Sequence, residues 1–163
     1  MTKCVFYTGL WACILFGVQT VKAQDNGLLQ NPFPEAKREV RAVLDEIEQS
    51  VRDNDMDRLI AFHAYGPKFT EFKNGERRSG PEQNEKFERE FIGSFTRVDK
   101  WEWDDLKIAV FGDVANVTFH ADFVPWIGEE KLHMTGQFTI LFVKTPAGWK
   151  IVHEHMSPIS PEG

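Results

Sequence analysis

The last strand-like run of the chain reads Gly148-Trp149-Lys150-Ile151-Val152-His153-Glu154-His155-Met156-Ser157. Successive side chains of an extended strand point to opposite faces, so His153 and His155 share one face while Glu154 lies on the other. Side chains that can exchange protons are therefore fixed on a rigid element beside apolar neighbours. The pattern leaves open which face meets the interior, so His153 and Glu154 are both candidate acid–base residues.

Three more strands precede this run. From Val98 onward, apolar side chains alternate with polar ones at a period of two, which is typical of half-buried strands. The parity of the alternation changes near Asp104-Asp105, which predicts a bulge. Turn signals at 112–113, 127–130 and 146–148 separate the strands, so the second half of the chain predicts four antiparallel strands.

The first half is dominated by helical patterns. Apolar residues between 36 and 51 recur at spacings of three and four, and a second, short helix follows a capping residue at Asp55. A short strand over 68–73 leads to a third helix that begins near Gly80-Pro81. The pattern predicts an α+β fold in which three N-terminal helices pack in a curved antiparallel sheet.

The N-terminal residues have the features of an export signal. An apolar run from Cys4 to Val18 follows Lys3, and Val21-Lys22-Ala23 suits a signal peptidase. We expect cleavage after Ala23 and a secreted or periplasmic protein that is not held at a membrane afterwards. The alternative, an uncleaved anchor, requires a longer apolar run. The expected organisation is a signal peptide over 1–23, a flexible leader over 24–33, one domain over 34–158 and a tail over 159–163.

Composition excludes several classes of protein. Both cysteines, Cys4 and Cys13, lie in the predicted signal peptide, so a processed chain would have no disulfide and no cysteine nucleophile. The formal net charge is −6, and no basic cluster extends beyond Arg77-Arg78. This charge distribution argues against nucleic acid and anionic membranes as partners.

Large apolar residues are predicted to line a hollow between the helices and the sheet. A concave and mainly apolar space with a few polar groups is the usual form of a ligand site. We therefore expect a small hydrophobic molecule as the partner. The aromatic residues predicted to contact it are Phe69, Phe72, Phe87, Trp103 and Phe138.

Four motifs and the order of the elements point to a known family. The motifs are Phe69-Thr70-Glu71-Phe72, Gly112-Asp113-Val114-Ala115, Gly136-Gln137-Phe138-Thr139 and Gly148-Trp149-Lys150-Ile151-Val152-His153. On these features the chain resembles the NTF2-like superfamily, in its SnoaL-like branch, over roughly residues 34–158. The resemblance implies a cone-shaped fold and, through the outer face of the sheet, a homodimer. It implies no particular reaction, because the family includes isomerases, cyclases, dehydratases, hydrolases and non-catalytic transport factors.

The C-terminal strand is similar to the association domain of calcium/calmodulin-dependent kinases, which also ends Trp-x-Ile-Val-His-x-His-x-Ser. The positions of that domain's pocket arginines correspond to Ile140 and Met156 here. The resemblance therefore implies a more apolar pocket in which Ile140 and Met156 contact the ligand.

His63 is a further chemical candidate, because it lies on the apolar stripe of the second predicted helix. A histidine there is either a packed residue or, as the resemblance implies from its position at the cavity border, a general base. His153 and His155 could bind a metal if His120, Asp122 or His133 added a third ligand. A polar outer face in contact with a second subunit explains these residues better, so we expect neither a metal nor another cofactor.

Two hypotheses follow. The first is an exported domain that binds a small hydrophobic molecule and, if it is an enzyme, transforms it by cofactor-free acid–base chemistry through His63, His153 and Glu154. The alternative is a non-catalytic carrier or oligomerisation module. An enzyme predicts at least two titratable groups that converge inside the cavity. A carrier predicts an apolar lining with every histidine outside.

Overall fold

The computed structural model describes residues 27–76 and 80–159. The predicted signal peptide over 1–23 and most of the predicted tail lie outside these residues. Within the described ranges, no helix combines the length and the apolar character that a membrane span requires.

The three predicted helices are present, and their ends follow local sequence signals. The Asp55 carboxylate accepts a hydrogen bond of 3.0 Å from the backbone N–H of Arg58 and so caps the second of them. Proline occupies the first turn of the other two. An additional four-residue helix lies in the segment predicted to be a leader. The helices are α1 (Gly27–Gln30), α2 (Pro34–Arg52), α3 (Met56–Ile60) and α4 (Pro81–Glu90), followed by a 3₁₀ turn over Ile92–Ser94.

Six strands form one curved sheet. Its order is β1-β6-β5-β3-β2, and the two-residue β4 pairs with the end of β3. β2 pairs with β3, β3 pairs with β5 and β5 pairs with β6, and all three pairings are antiparallel, as predicted. The strands are β1 (Thr70–Lys73), β2 (Phe95–Phe111), β3 (Val114–Ile127), β4 (Glu130–Lys131), β5 (Met134–Thr145) and β6 (Gly148–Pro158).

The expectation of a wholly antiparallel sheet is wrong at one edge. β1 runs parallel to β6, with Thr70 opposite His153 and Glu71 opposite Glu154. Strands joined by a tight hairpin must be antiparallel, but β1 and β6 are separated by most of the domain, so no turn dictates their relative direction. The edge pairing is therefore set by tertiary packing.

The predicted bulge in β2 is confirmed. The pairing of β2 with β3 shifts register between Asp104 and Lys107, and Asp105 adopts a φ of 50°. The extra residue increases the local twist and bends the strand. The long strands curve around α2 as a result, which is what creates a concave face.

Two apolar clusters fill this concave face. In one, Val40 and Leu44 of α2 pack against strand residues such as Phe142. In the other, Val51 packs with Leu59 and Phe95. Members of both clusters also line a cavity, so side chains do not completely fill the space between the helices and the sheet.

Candidate functional site

The cavity lies between α2, α4 and the concave face of the sheet, and its volume is about 170 Å³. An apolar cavity of ~150 Å³ in another protein holds benzene, so this space has room for a ligand of one or two rings. Five residues predicted to contact a ligand form part of its wall. They are Phe87, Trp103, Phe138, Ile140 and Met156.

Other wall residues were not singled out from the sequence. They come from α2, from the residues that follow α4 and from the middle of the sheet, where their apolar spacing is the same as that of ordinary core residues. Only the bend of the sheet leaves space beside them. They include Leu44, Ile47, Val51, Phe95, Trp101, Phe119 and Phe123.

The placement of Phe72 in the cavity is wrong. Phe69, Glu71 and Lys73 share the inner side of the β1 segment, so Phe72 points outward and 58% of it is exposed. Phe69 is buried but does not line the cavity. Its ring forms T-shaped contacts with the Tyr65 and His63 rings, with centroid distances of 4.8 and 5.8 Å, and so helps to hold His63 in place.

One face of β6 meets the cavity, and the structure shows which side chains lie on it. Glu154 is buried and lines the cavity, whereas His153 and His155 are on the opposite face. The Nδ1 atom of His153 lies 2.7 Å from the Thr70 hydroxyl oxygen, so His153 is tied to the edge strand. The structure therefore brings Glu154, and not His153, to the cavity.

His63, Glu88 and Glu154 converge at one end of the cavity. The Nε2 atom of His63 lies 3.4 Å from Oε1 of Glu88 and 3.7 Å from Oε1 of Glu154. All three side chains are buried. His63 reaches this position because backbone hydrogen bonds between Phe62, Ala64 and Ile151 attach the segment after α3 to β6.

Lys73 connects this group to a third carboxylate. Its Nζ atom lies 3.2 Å from Oε2 of Glu154 and 3.1 Å from Oε1 of Glu71. Glu71 is fully buried. A buried ammonium group between two carboxylates compensates charge that would otherwise be very costly to remove from water.

Asn84 holds Glu71 from the other side. The amide nitrogen of Asn84, as assigned from its hydrogen-bond network, donates to both carboxylate oxygens of Glu71 at 2.7 and 2.8 Å. Its amide oxygen accepts a hydrogen bond from the Tyr65 hydroxyl at 3.0 Å. The same hydroxyl oxygen lies 3.5 Å from Oε2 of Glu88, so Tyr65 connects Asn84 and Glu71 with the group formed by His63, Glu88 and Glu154.

The pKa of Glu88 is raised from 4.5 to about 7. Burial is the main cause, because it disfavours the charged carboxylate, and the negative charge of Glu154 adds to the increase. His63 acts in the opposite direction. Burial also favours the neutral form of His63, but the adjacent carboxylates of Glu154 and Glu88 outweigh it and raise the pKa of His63.

Glu154 has the opposite character. Burial would raise its pKa, but Lys73 and His63 together hold the pKa of Glu154 well below its usual range. The pKa of Lys73 is raised, since the surrounding carboxylates outweigh its burial. At neutral pH the site therefore contains a fixed Glu154–Lys73 ion pair beside a group, Glu88, that can gain or lose a proton.

His63, Glu88 and Glu154 are also spaced so that they could bind a metal ion. Each offers one nitrogen or oxygen ligand atom, and these three atoms all lie within 4.8 Å of one another. They form the only such group of three in the described parts of the chain. The ammonium group of Lys73, bonded to Glu154, already supplies positive charge there. We therefore interpret the cluster as an acid–base site. His153 and His155 belong to no such group.

Glu88 and Asn84 were missed in the sequence, although a signal was present. They lie on α4 at positions i and i+4, on the same stripe as Phe87 and Phe91. Two polar residues within an apolar stripe are buried with it. A carboxylate at such a position is a candidate for a perturbed pKa.

The outer face of the sheet has a different character. Strand side chains that point away from the cavity form a polar depression there, which we call the outer groove. It is lined by Asp105, Thr118, His120, Gln137, Thr139, His155 and Ser157, together with Phe119 and Phe138.

Solved structures with a similar fold include a candidate dehydratase of the NTF2-like family from Streptomyces avermitilis. The match has a TM-score of 0.68 and 19% identity, and covers 78% of this chain and 99% of that one. An NTF2-like superfamily protein from Salmonella enterica matches with a TM-score of 0.63 and 22% identity, over 79% and 94% of the two chains.

An NTF2-like protein from Pseudomonas putida matches with a TM-score of 0.62 and 22% identity, over 78% and 90%. At these identities the similarity concerns the fold alone. No curated protein matches the chain significantly. The family model for the SnoaL-like domain matches residues 40–161, which is most of the chain. The chain therefore belongs to the SnoaL-like branch of the NTF2-like superfamily.

Proposed function

We propose that this domain binds a small hydrophobic molecule in its cavity and transforms it by acid–base chemistry without a cofactor. The observation that carries the proposal is the meeting of His63 and Glu88 inside an apolar cavity, with 3.4 Å between Nε2 and Oε1. A site that only carried a ligand would need neither group there. Burying both costs stability, and that cost is understandable if they move protons.

The two groups have complementary roles. A carboxylate with a pKa near 7 is an effective general base at neutral pH, so Glu88 is the group that removes a proton from the bound molecule. His63, whose pKa is raised by the adjacent carboxylates of Glu154 and Glu88, is the group that donates one. Glu154 and Lys73 remain ionised and keep the charge of the site constant while Glu88 changes state.

These roles suit a lyase or an isomerase. Dehydration, for example, requires a base for a C–H proton and an acid for the departing hydroxyl group. The similarity in fold to the candidate dehydratase from Streptomyces avermitilis is consistent with this class. Because the cavity is small and mainly apolar, the substrate is a compact molecule with little charge.

A generic carbon acid tests the proposal without knowledge of the natural substrate. 5-Nitrobenzisoxazole is a neutral bicyclic molecule that opens to a coloured phenolate when a base removes its C–H proton. We expect the protein to accelerate this reaction over buffer, with a rate that rises with pH around a midpoint near 7. Glu88→Gln is expected to reduce the rate at least tenfold, since general bases contribute ~10²–10⁴-fold.

Glu90→Gln is the matched control, because Glu90 is on the same helix but its side chain is largely exposed beside Lys86. It should leave the rate unchanged. A wild-type protein that binds the probe but does not accelerate its opening would favour the alternative function, a carrier. A Glu88→Gln variant that is as fast as wild type would overturn the role of Glu88.

We further propose that the domain forms a homodimer through the outer groove. The polar side chains of His120, Gln137 and His155 there suit hydrogen bonds to a second copy, and the family resemblance supports the same face. Sedimentation of the purified protein tests this. A dimer that Gln137→Arg converts to a monomer supports the proposal, and a wild-type monomer at micromolar concentration opposes it.

We also propose export, on the basis of the N-terminal sequence pattern. Mass spectrometry of protein from the periplasm or medium of expressing cells should find a chain that begins at Gln24. Full-length chain that stays in the cytoplasm would argue against export.

A further inference from the structure

A second polar group lines the cavity away from His63. It is the indole nitrogen of Trp101, which is shielded from solvent and has no hydrogen-bond partner in the described part of the chain. Two other tryptophans provide a comparison. The indole nitrogen of Trp126 donates to Asp99 at 2.8 Å, and that of Trp149 donates to Glu39 at 2.8 Å.

An unpaired buried donor of this kind is costly. Leaving a buried N–H without an acceptor destabilises a protein by ~1–3 kcal/mol. The rings of Trp101 and Phe123 form a T-shaped contact with 4.7 Å between centroids, and Phe91 and Phe95 belong to the same apolar cluster. A phenylalanine would suit these neighbours without the unpaired donor. Packing alone therefore does not account for an indole at this position.

Trp101 and the acid–base cluster occupy different walls of the cavity. Trp101 is on β2 and Glu154 is on β6, and the sheet order places β5 and β3 between them. Three strand spacings correspond to roughly 14 Å along the surface of the sheet. The wall between them is apolar and includes the stacked rings of Phe119 and Phe138, whose centroids are 5.0 Å apart.

We propose that Trp101 is a ligand-binding residue that donates a hydrogen bond to an acceptor oxygen of an uncharged, mainly apolar ligand, such as the oxygen of a ketone or ester. The proposal rests on the proposed function in one respect, namely that the cavity binds a small molecule. Because Trp101 is three strands away from Glu154 in the sheet, the oxygen it binds lies at a different wall from Glu154 and orients the molecule.

The charges of the site argue for a neutral ligand. Lys73 pairs with Glu154, so ionisation of Glu88 adds a negative charge to this end of the cavity. The whole chain also has a formal net charge of −6. A carboxylate ligand would be repelled as Glu88 ionises. A carbonyl compound provides the acceptor that Trp101 needs without a charge.

A matched pair of one-ring molecules tests the proposal by binding alone. Acetophenone and ethylbenzene have similar shapes, but only acetophenone carries an acceptor oxygen. Calorimetric titration of the wild-type chain gives the affinity for each compound, and each affinity is corrected for that compound's partition from water into alkane. The corrected affinity for acetophenone should be about fivefold higher than that for ethylbenzene, which is the effect of one net hydrogen bond. Trp101→Phe should remove this preference and leave the affinity for ethylbenzene within about twofold.

A second measurement uses the unaltered protein, in case Trp101→Phe changes the fold. In ¹H–¹⁵N spectra, the indole N–H resonance of Trp101 should move downfield with acetophenone and move much less with ethylbenzene. Equal preference in wild type and Trp101→Phe, or a resonance that responds equally to both compounds, would overturn the proposal and would indicate that Trp101 is solvated by water only.

Binding of neither compound would also overturn the role of Trp101. The 5-nitrobenzisoxazole rate, measured on the same preparation with wild type and Glu88→Gln, then reports separately on the proposed function. A chain that retains the Glu88-dependent rate but does not discriminate the two ligands keeps the proposed function and loses only this inference.

Discussion

Glu71 and Glu154 occupy directly paired positions in the parallel ladder of β1 and β6, and both are buried. Two carboxylates at neighbouring positions in an interior repel each other strongly. The ammonium group of Lys73 lies within 3.2 Å of a carboxylate oxygen of each. This arrangement makes the edge of the sheet part of the electrostatics of the site.

Replacement of Lys73 by methionine should therefore destabilise the fold. Removing one partner of a buried ion pair leaves uncompensated charge and typically costs ~3–5 kcal/mol. Urea denaturation at pH 7 measures the loss. Lys86→Met is the matched control, because Lys86 is 71% exposed and 3.9 Å from Glu90, and its loss should be below ~0.5 kcal/mol. Equal effects of the two changes would contradict the proposed network.

The raised pKa of Glu88 predicts how stability depends on pH. A carboxyl group whose pKa rises from 4.5 unfolded to about 7 folded binds its proton more tightly in the folded state. Its contribution is complete below pH 4.5 and is lost as pH rises through 7. The raised pKa of His63 acts in the same direction at a higher pH window, from 6.5 upward.

Glu88→Gln should therefore flatten the decline in the free energy of unfolding between pH 5 and 7. It should also reduce the decline above that range, because Glu88 helps to raise the pKa of His63. Chemical denaturation at several pH values gives this curve for both proteins. Within the described ranges, the charged groups that act most strongly on Glu88 are His63, Glu154, Lys73 and Glu71, and all remain in the variant. An unchanged slope would mean that Glu88 is not the group that titrates.

His63 should control the pH at which the site becomes active. Its positive charge lowers the pKa of Glu88, so His63→Gln should raise that pKa further. We expect the midpoint of the 5-nitrobenzisoxazole pH profile to move upward by about one pH unit, with a lower rate at pH 7. His120→Gln, on the outer groove, is the control and should not move the midpoint. A midpoint that moves downward would contradict the geometry.

Gly136 allows β5 and β6 to approach closely at the cavity wall. A methyl group at Gly136 would lie 2.8 Å from Cε of Met156 and 3.0 Å from the carbonyl oxygen of Ser157. Gly136→Ala should destabilise the protein by ~1–3 kcal/mol, as overpacking does. At Gly66 nothing lies within 4 Å of the added atom, so Gly66→Ala serves as the control in the same thermal unfolding experiment. Similar stability of the two variants would refute the close approach.

Two phenylalanines of the predicted pocket should behave differently. Phe138 lines the cavity and stacks on Phe119, whereas Phe72 is 58% exposed. Phe138→Ala should weaken binding of ethylbenzene about tenfold, because the ligand loses apolar contact worth ~1–2 kcal/mol. Phe72→Ala should change the affinity less than twofold. A larger effect of Phe72→Ala would mean that the ligand binds at the outer edge of the sheet.

Local pattern was sufficient for the elements of this fold. The period of 3.6 in α2, the period of two in β2, β3, β5 and β6, and the change of parity at Asp104-Asp105 are each set by neighbouring residues. They predicted the helices, the strands and the bulge, whereas the family was inferred from a resemblance in motifs and element order. They also placed Phe87, Trp103 and Phe138 on the inner face.

Other features needed the assembled chain. The parallel docking of β1 on β6 joins segments about eighty residues apart, and no local pattern specifies its direction. A β-bulge at Val152, where the pairing of β5 with β6 shifts register, turns Glu154 to the same face as Ile151 and leaves His153 on the other. The docking of β1 on β6 placed Glu71 and Lys73 against Glu154, which no spacing within one strand could reveal.

The sequence by itself therefore determined the secondary structure, the curvature of the sheet and the apolar character of the interior, because these depend on the periodicity of neighbouring side chains. Tertiary structure alone decided which carboxyl group has a raised pKa. The distance from His63 to Glu88 and the burial of both depend on how α4 and β6 close around the cavity, and a pKa responds to that distance and burial.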